Sequence, residues 1–405
     1  MICLIITLKD KQQADLRKES INTSNLFVTP NNRELATLLL SPFPEQAFVQ
    51  IIASQIRFSL ISPYQTKGGV NKETLFFGRN QLLAHIMNRE PANYILAGGR
   101  QLGKSSILKA IERRYTDDPN ITCHYLVLHN QEIKPHLSKA LNLPPDTDLP
   151  SLLENMGQNK HDKRQLFLID EADKFIEHEA QNDYSTLNLF RSLSEQGRCN
   201  FILAGFWNLY HAATFDYQSP IKNFAETLFI GALESEACHD LAVKPMSLLN
   251  ITYDLVKNLI RETGQRANLI AITCDEILQK PDMQKRIITQ KDLETTIDSN
   301  AIRSALSGWE ILTGDEKANQ LDRIIVYATI RMEQFTIADV LRILEENNSS
   351  YPPEMIRQSL ARLELAFILK REKQNYTYCV PIFKKIILEQ EPELLLAGEL
   401  AVRLL

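Results

Sequence analysis

The residues best suited to chemistry lie between Gly98 and Ser105, where the sequence is Gly-Gly-Arg-Gln-Leu-Gly-Lys-Ser. This stretch fits the phosphate-binding pattern G-x-x-x-x-G-K-[ST] at every fixed position. Its glycines let the backbone turn so that several N–H groups point at phosphate oxygens. We expect Lys104 to reach the β- and γ-phosphates and the Ser105 hydroxyl to ligate Mg²⁺. The predicted nucleotide-binding residues are Gly98, Gly99, Arg100, Gln101, Leu102, Gly103, Lys104, Ser105 and Ser106.

A second pair of candidate residues, Asp170 and Glu171, directly follows the apolar run 165–169. Such a run is typical of a central parallel strand that is buried on both faces. A carboxylate at the end of that strand can hold Mg²⁺, and a second one can polarise an attacking water. We therefore assign Asp170 to the metal and Glu171 to the general base, and we expect Lys104 to be catalytic as well.

The elements that must position these residues alternate between strands and helices. Helices are predicted between the strands, among them 106–114 directly after the glycine loop and 185–195 after the two acids. This alternation favours an α/β core with a parallel sheet and helices on both faces. The predicted strands are 94–97, 120–128, 165–169, 201–205 and 228–230.

The remaining segments divide the chain into further units. Residues 1–70 are expected to form an N-terminal helical extension and linker, with helices over 33–40 and 46–60. The α/β core would span 71–233, and a small all-helical domain 234–305. Three helices and a hairpin over 315–388 predict a winged helix, followed by a helical tail over 389–405.

The overall composition limits the class of protein. The chain has 405 residues, 44% hydrophobic and 23% charged, as in an ordinary soluble protein of two or three domains. Its net charge of −5 argues against a generally basic nucleic-acid binder. The six cysteines form no C-x-x-C pair, so neither a zinc site nor a disulfide framework is predicted. No signal peptide or membrane span is recognised, and we expect a cytoplasmic protein that does not bind membranes.

Taken in this order, the motifs resemble those of the AAA+/STAND class of P-loop ATPases, and within it the prokaryotic ATPases related to archaeal origin-recognition initiators. The resemblance covers roughly residues 62–385. Phe76 to Arg79 matches the F-x-G-R box that lies near the adenine in that family, which implies that Phe77, Gly78 and Arg79 contact the nucleotide. The resemblance implies ATP and Mg²⁺ as ligands, ATP hydrolysis, and a lid formed by the helical domain.

The same resemblance assigns a further catalytic residue and leaves others open. Residues 263–270 are similar to the T-G-G-H-P-x-L-I lid turn, in which a basic residue senses the γ-phosphate; Arg266 stands at that position. The family's small polar sensor after the fourth strand is absent here or displaced to Asn208. No arginine finger can be assigned: Arg191, Arg198 and Lys222 are all suitably placed, but each fits a surface charge better. We therefore expect slow or partner-stimulated turnover.

Three functions remain open at this point. The first is a molecular switch that couples nucleotide state to assembly with protein partners or with copies of itself. The second is a DNA-associated ATPase, resembling replication initiators or transposition regulators, that reads DNA with a recognition helix at 353–366. Over 354–373 there are five basic residues against three acidic ones, a weak surplus, so this module could instead pack against the core or a partner. The third is a small-molecule kinase.

Overall fold

The computed structural model describes residues 2–7, 12–13, 15–16, 26–56, 62–128, 130–157, 163–247, 252–253, 255–279, 287–347 and 349–402. Its N-terminal part contains two short parallel strands, β1 (Ile2–Leu4) and β2 (Leu26–Val28), which the sequence did not predict. Helices α1 (Asn32–Leu40) and α2 (Pro44–Gln55) follow. The predicted helix over 46–60 thus starts earlier and ends sooner, and its positions 57–60 lie outside the described residues.

A five-stranded parallel sheet forms the centre of the molecule. It consists of β3 (Tyr94–Ala97), β4 (Ile121–Val127), β5 (Arg164–Asp170), β6 (Cys199–Gly205) and β7 (Glu226–Phe229), in the order β4-β5-β6-β3-β7. The predicted strands are therefore confirmed, with small shifts at their ends. The associated helices are α3 (Asn80–Met87), α4 (Lys104–Tyr115), α5 (Lys134–Ala140), α6 (Leu149–Gly157), α7 (Asp173–Gln181), α8 (Ser185–Glu195), α9 (Trp207–Thr214) and α10 (Ile221–Phe224).

Helices cover both faces of this sheet, which explains why its central strands are continuously apolar. On β5, Phe167 and Ile169 belong to the core on one face, whereas Leu166 and Leu168 belong to the core on the other. Because side chains alternate across a strand, both sets must be apolar when both faces are covered. The protein thus has an α/β P-loop NTPase core.

The helical unit after the sheet contains α11 (Ser235–Ser247), α12 (Val256–Glu262), α13 (Ala267–Leu278), α14 (Gln290–Ile297) and α15 (Asn300–Leu306). It also contains two short paired strands, β8 (Thr252–Tyr253) and β9 (Ile287–Ile288). The prediction of an all-helical unit was therefore wrong in this detail. A two-residue pair lacks the alternating apolar pattern that marks a longer strand, so the sequence offers little signal for it.

The C-terminal unit has the predicted three helices, α16 (Glu316–Thr329), α17 (Ile337–Glu346) and α18 (Pro353–Leu365), followed by an antiparallel hairpin of β10 (Leu369–Glu372) and β11 (Asn375–Tyr378). Two further helices, α19 (Pro381–Leu388) and α20 (Pro392–Ala401), complete it. The tail helix α20 packs against α16, where Arg323 Nε donates to Glu399 Oε1 at 2.6 Å. No helix within the described ranges is both long and apolar enough to cross a membrane.

Candidate nucleotide-binding site

The glycine loop joins β3 to α4, as predicted, and its backbone adopts conformations that suit glycine. Gly103 has a φ of +100°, and Gln101 has a φ of +62°. At Gly98 a Cβ atom would lie 2.7 Å from the carbonyl oxygen of Ile230, so only glycine fits. The loop therefore turns tightly against the end of β7 before α4 begins at Lys104.

Lys104 is buried at the base of the loop, with 8% of its surface exposed. Its Nζ donates to the carbonyl oxygens of Gly98 at 2.7 Å and Gly99 at 2.9 Å. Burial lowers the pKa of Lys104, and the carboxylates of Asp173, Glu171 and Asp170 oppose that shift. The ammonium group is thus held beside the loop and close to the acidic end of β5.

A cavity of about 460 Å³ opens beside the loop, which falls in the size range of small-molecule sites. Loop residues 100–106 line it, whereas Gly98 and Gly99 do not. Opposite the loop, the wall comes from α11 and α13 of the helical unit, including Ala267 and Asn268. The cavity therefore lies where a ligand bound to the loop would touch the helical unit.

Residues 63–70 form another wall of the cavity, which the sequence had assigned to a linker. The Val70 N–H donates to Ser106 Oγ at 3.0 Å, and Lys109 Nζ donates to Asn71 Oδ1 at 2.6 Å. At Gly69 a Cβ atom would lie 3.0 Å from Ser105 Cβ. This segment thus lies tightly along α4, and the predicted ligand residue Ser106 has its hydroxyl engaged in holding it.

The F-x-G-R box reaches the cavity through Phe77 and Arg79. Gly78 has a φ of +72°, and a Cβ atom there would lie 2.5 Å from Glu234 Oε2 and 2.6 Å from Ala237 Cβ. Glycine is required at this position because both the backbone conformation and the close approach of α11 exclude a larger residue. Gly78 therefore shapes the junction between sheet and helical unit instead of lining the cavity itself.

The guanidinium of Arg79 also serves this junction. It donates to the carbonyl oxygens of Gly231 at 2.6 Å and Ala232 at 2.8 Å, and the Arg79 N–H donates to the Glu234 carboxylate. Burial lowers the pKa of Arg79, while the charge of Glu234 opposes the shift. Arg79 lies at the predicted place, but its polar atoms hold the segment that leads from β7 into α11.

The two predicted acidic residues have different environments. Asp170 is 2% exposed; its Oδ2 accepts from the Tyr125 hydroxyl at 2.8 Å and its Oδ1 from the Glu171 N–H at 3.0 Å. Glu171 is exposed, has a φ of +56°, and lines the cavity. Burial and the neighbouring Asp170 raise the pKa of Tyr125, which keeps its hydroxyl proton available as a donor. Tyr125 lies on the neighbouring strand β4, and no motif in the sequence identifies it.

Asn208 does not have the position of a displaced sensor. It lies at the start of α9, where the Asp173 carboxylate accepts from the N–H groups of Phe206 at 2.6 Å and Asn208 at 3.0 Å and so caps the helix. The Asn208 side-chain amide donates to Glu177 Oε2 at 3.4 Å, on α7. Asn208 does not line the cavity, so it makes no contact expected of a displaced sensor.

The lid turn contacts the loop at two points. The guanidinium of Arg266 donates to the Arg100 carbonyl oxygen at 3.3 Å, and burial lowers the pKa of Arg266 to about 10. Arg266 lies beside the loop backbone and does not line the cavity. Asn268, two residues further on, does line it and donates to Gln101 Oε1 at 2.6 Å. Asn268 is a lid contact that the sequence did not single out.

The oxygen ligands available here suit a hard cation such as Mg²⁺. Ser105 and Glu171 line the cavity, and the neighbouring Asp170 is buried. Within the described ranges, no three His, Cys, Asp or Glu side chains form a group that could hold a metal on their own. A site that takes its other oxygens from phosphates and water is the usual arrangement for Mg²⁺, and the residues fit that arrangement.

The basic residues of the C-terminal unit are largely engaged with neighbouring acids. Arg362 is buried and forms an ion pair with Asp322 at 2.9 Å, while Lys370 pairs with Glu372 at 2.5 Å. Arg357 lies 3.7 Å from a carboxylate oxygen of its helix neighbour Glu354. Among the candidate finger residues, Arg191 pairs with Glu195 and Lys222 lies over the ring of Tyr217.

Helix α18 is not exposed along its whole length, because its C-terminal end packs against the core. The Gly99 N–H donates to the carbonyl oxygen of Leu365, the last residue of α18, at 2.7 Å. Leu365 is buried in the core on one face of the sheet, and the guanidinium of Arg362 lies 4.7 Å from the ring centroid of Trp207. The end of the predicted recognition helix is thus covered by the glycine loop and α9.

Comparisons with known proteins identify the fold. No family model and no curated protein matches the chain. The structure is similar to a Walker-type ATPase of Pyrococcus abyssi, with 14% identity, a TM-score of 0.56, and coverage of 79% of this chain and 98% of that one. It is also similar to the ORC2 protein of Aeropyrum pernix solved with ADPNP and ADP, with 13% identity, a TM-score of 0.52 and the same coverage. These likenesses show a shared fold.

Proposed function

We propose that this chain is an AAA+-type ATPase that binds and hydrolyses Mg²⁺–ATP and acts as a molecular switch. One observation carries the proposal: the glycine loop, Glu171 and Asn268 of the lid all line a single cavity, with Lys104 at the base of the loop. A phosphate loop alone would support binding. The loop together with a cavity-facing carboxylate supports hydrolysis.

Each residue of the site would have a separate role in the reaction. The N–H groups of the loop and the N-terminus of α4 would bind the β- and γ-phosphates, and Lys104 would neutralise charge that develops on them. Mg²⁺ would be held by Ser105 directly and by Asp170 through water, and it would supply further charge neutralisation at the phosphates. Glu171 would accept a proton from the attacking water. Arg266 contacts the loop backbone and does not line the cavity, so it would reach the γ-phosphate only if the lid moved.

The domain organisation of this switch follows the boundaries given above. We propose a core over 71–233, a lid over 234–305, a winged helix over 315–388 and a tail over 389–405. The segment 63–70 belongs functionally to the core, because it forms a wall of the cavity. The partners would be other proteins or copies of this chain.

DNA binding through the winged helix is the second candidate, and one observation weighs against it in this conformation. Helix α18 is packed onto the core, and its basic residues Arg357 and Arg362 are paired with acids. DNA could reach the end of α18 that the core covers only if the C-terminal unit moved away, whereas Arg357, nearer the start of the helix, is exposed. Salt-dependent DNA binding that the pair Lys370→Ala and Arg371→Ala weakens would favour this candidate.

The test uses two variants and a matched control. Glu171→Gln should bind ATP but hydrolyse it about 10²- to 10⁴-fold more slowly, because the general base is lost. Lys104→Ala should lose ATP binding. Glu177→Gln, an exposed residue of α7 that does not line the cavity, should behave like the wild type. Binding is measured by calorimetry and turnover by phosphate release.

Two outcomes would contradict the proposal. If Glu171→Gln hydrolyses ATP at the wild-type rate, the general base is elsewhere. If phosphate is transferred to a metabolite and none is released to water, the protein is a kinase, which is the third function left open by the sequence.

A further inference from the structure

One peptide group of the glycine loop is bonded on both sides, and the two partners come from different parts of the molecule. The carbonyl oxygen of Gly98 accepts from Lys104 Nζ at 2.7 Å. The N–H of Gly99, which belongs to the same peptide group, donates to the Leu365 carbonyl oxygen at 2.7 Å. The result is a continuous chain of hydrogen bonds from the loop lysine to the last residue of α18.

Such a chain is cooperative. A cation at the carbonyl end of an amide polarises that amide, which makes its N–H a stronger donor. The Leu365 carbonyl is also a strong acceptor, because it lies at the C-terminal end of a 13-residue helix, where the helix dipole is negative. Each end of the chain therefore strengthens the bond at the other end.

The residue at position 99 shows that this contact is close. The phosphate-loop pattern allows any residue at this position, yet here it is glycine. A Cβ atom on Gly99 would lie 3.0 Å from the Cα of Ala366 and 3.2 Å from its carbonyl carbon and oxygen. The backbone of the C-terminal unit therefore approaches the loop so closely that a Cβ atom on residue 99 would push the two backbones apart by a few tenths of an ångström.

We propose that Lys104, the Gly98–Gly99 peptide and Leu365 form a relay that couples the phosphate site to docking of the C-terminal unit. The inference rests on the proposed function in one respect, that a phosphate binds Lys104. A phosphate oxygen competes with the Gly98 carbonyl for the ammonium group. As Lys104 turns to the phosphate, the peptide loses its polarising cation, the bond from Gly99 to Leu365 weakens, and α18 is released.

The contacts around the relay limit what is released. Phe367 lies 3.5 Å from the position of a Cβ on Gly231, and Arg362 stacks on Trp207. These contacts do not involve the phosphate site, so the relay sets the balance between docked and undocked states and does not act alone. Undocking would uncover the end of α18 that the core now covers.

Hydrogen exchange measured by mass spectrometry tests the relay without nucleotide. In Lys104→Met the cation is removed, and the fragments covering 98–103 and 361–368 should exchange about fivefold faster, as expected for the loss of roughly one hydrogen bond. Lys109→Met is the matched control. It removes a lysine of the same helix that bonds to Asn71 instead of the loop, and should leave both fragments unchanged.

Gly99→Ala is a second variant, because its Cβ would separate the loop from Ala366 while leaving Lys104 in place. It should accelerate exchange at 361–368 in the same way. Binding of Mg²⁺–ATP to the wild type should also accelerate hydrogen exchange at 361–368.

The proposal is overturned if Lys104→Met exchanges like the wild type at 361–368, or if Lys109→Met accelerates it equally. It is also overturned if ATP binds to the wild type without changing that fragment. If ATP does not bind at all, the proposed function fails, and the comparison of the two lysine variants still decides whether the relay exists.

Discussion

Replacement of Arg362 by methionine should strongly destabilise the C-terminal unit. The side chains of Arg362 and Asp322 are 3% and 1% exposed, and two hydrogen bonds of 2.9 Å join the guanidinium to the carboxylate. The Ser359 hydroxyl also donates to Asp322. Methionine fills similar space but leaves Asp322 buried without its cation. Removing one partner of a buried pair costs about 3–5 kcal/mol of the free energy of unfolding.

The loss should depend on pH, with a sign that follows from the pKa of Asp322. Burial raises that pKa, and Arg362 and Ser359 oppose the shift, so the variant should raise it further. The folded variant then keeps a proton that the unfolded chain releases above about pH 3.9. Stability is therefore highest below that pH and falls as pH rises through the raised pKa of the folded state. The loss should be larger at pH 8 than at pH 5.

Urea unfolding followed by tryptophan fluorescence measures this loss. Trp207 lies under the Arg362 guanidinium, and Trp309 packs against Tyr327 and Phe383 of the C-terminal unit, so both report on the structure of that unit. The double variant Arg362→Met with Asp322→Leu is the control, because an apolar replacement of the whole pair should recover most of the stability. If the single variant unfolds at the wild-type urea concentration, or the double variant is no more stable than the single one, the reasoning is wrong.

Two further substitutions test the geometry of the site. Gly78→Ala should lower the free energy of unfolding by about 1–3 kcal/mol, because its Cβ would meet Glu234 and its φ is +72°. Gly308→Ala is the control, because a Cβ there has open space around it and should not lower the stability. Equal urea midpoints for the two variants would contradict this reasoning. Tyr125→Phe should cost about 1.5–3 kcal/mol by removing a hydrogen bond to the buried Asp170 carboxylate, and should slow Mg²⁺-dependent hydrolysis. Unchanged unfolding in Tyr125→Phe would show that this bond contributes little.

The parts of the structure that the sequence predicted well depend on local patterns. Strand β3 and helix α8 have the predicted boundaries, because apolar periodicity and turn residues mark them directly. The loop at 98–105 lies between strand and helix, as its motif requires. The placement of Glu171 at the cavity follows from the same logic, since a residue after a buried parallel strand lies at the sheet edge that carries the loop.

The parts that could not be predicted depend on contacts between distant segments. Tyr125 lies beside Asp170 because β4 pairs with β5. The sequence of a single strand does not predict which strand it will pair with. Likewise, the sequence pattern predicts that Arg362 is a basic residue of a recognition helix, but it forms an ion pair with Asp322, which is 40 positions away on α16. Charge counting from the sequence treats such a residue as exposed, and only packing shows that it is neutralised.

The cavity has a consequence for how the protein unfolds. Its walls include three segments that are far apart in the sequence, at 63–70, 100–107 and 267–271. A ligand that touches all three acts as a reversible cross-link between the N-terminal linker, the core and the lid. At a ligand concentration of 100 times Kd, binding adds about 2.7 kcal/mol to the stability of the folded form. With ligand bound, the three segments should therefore unfold together.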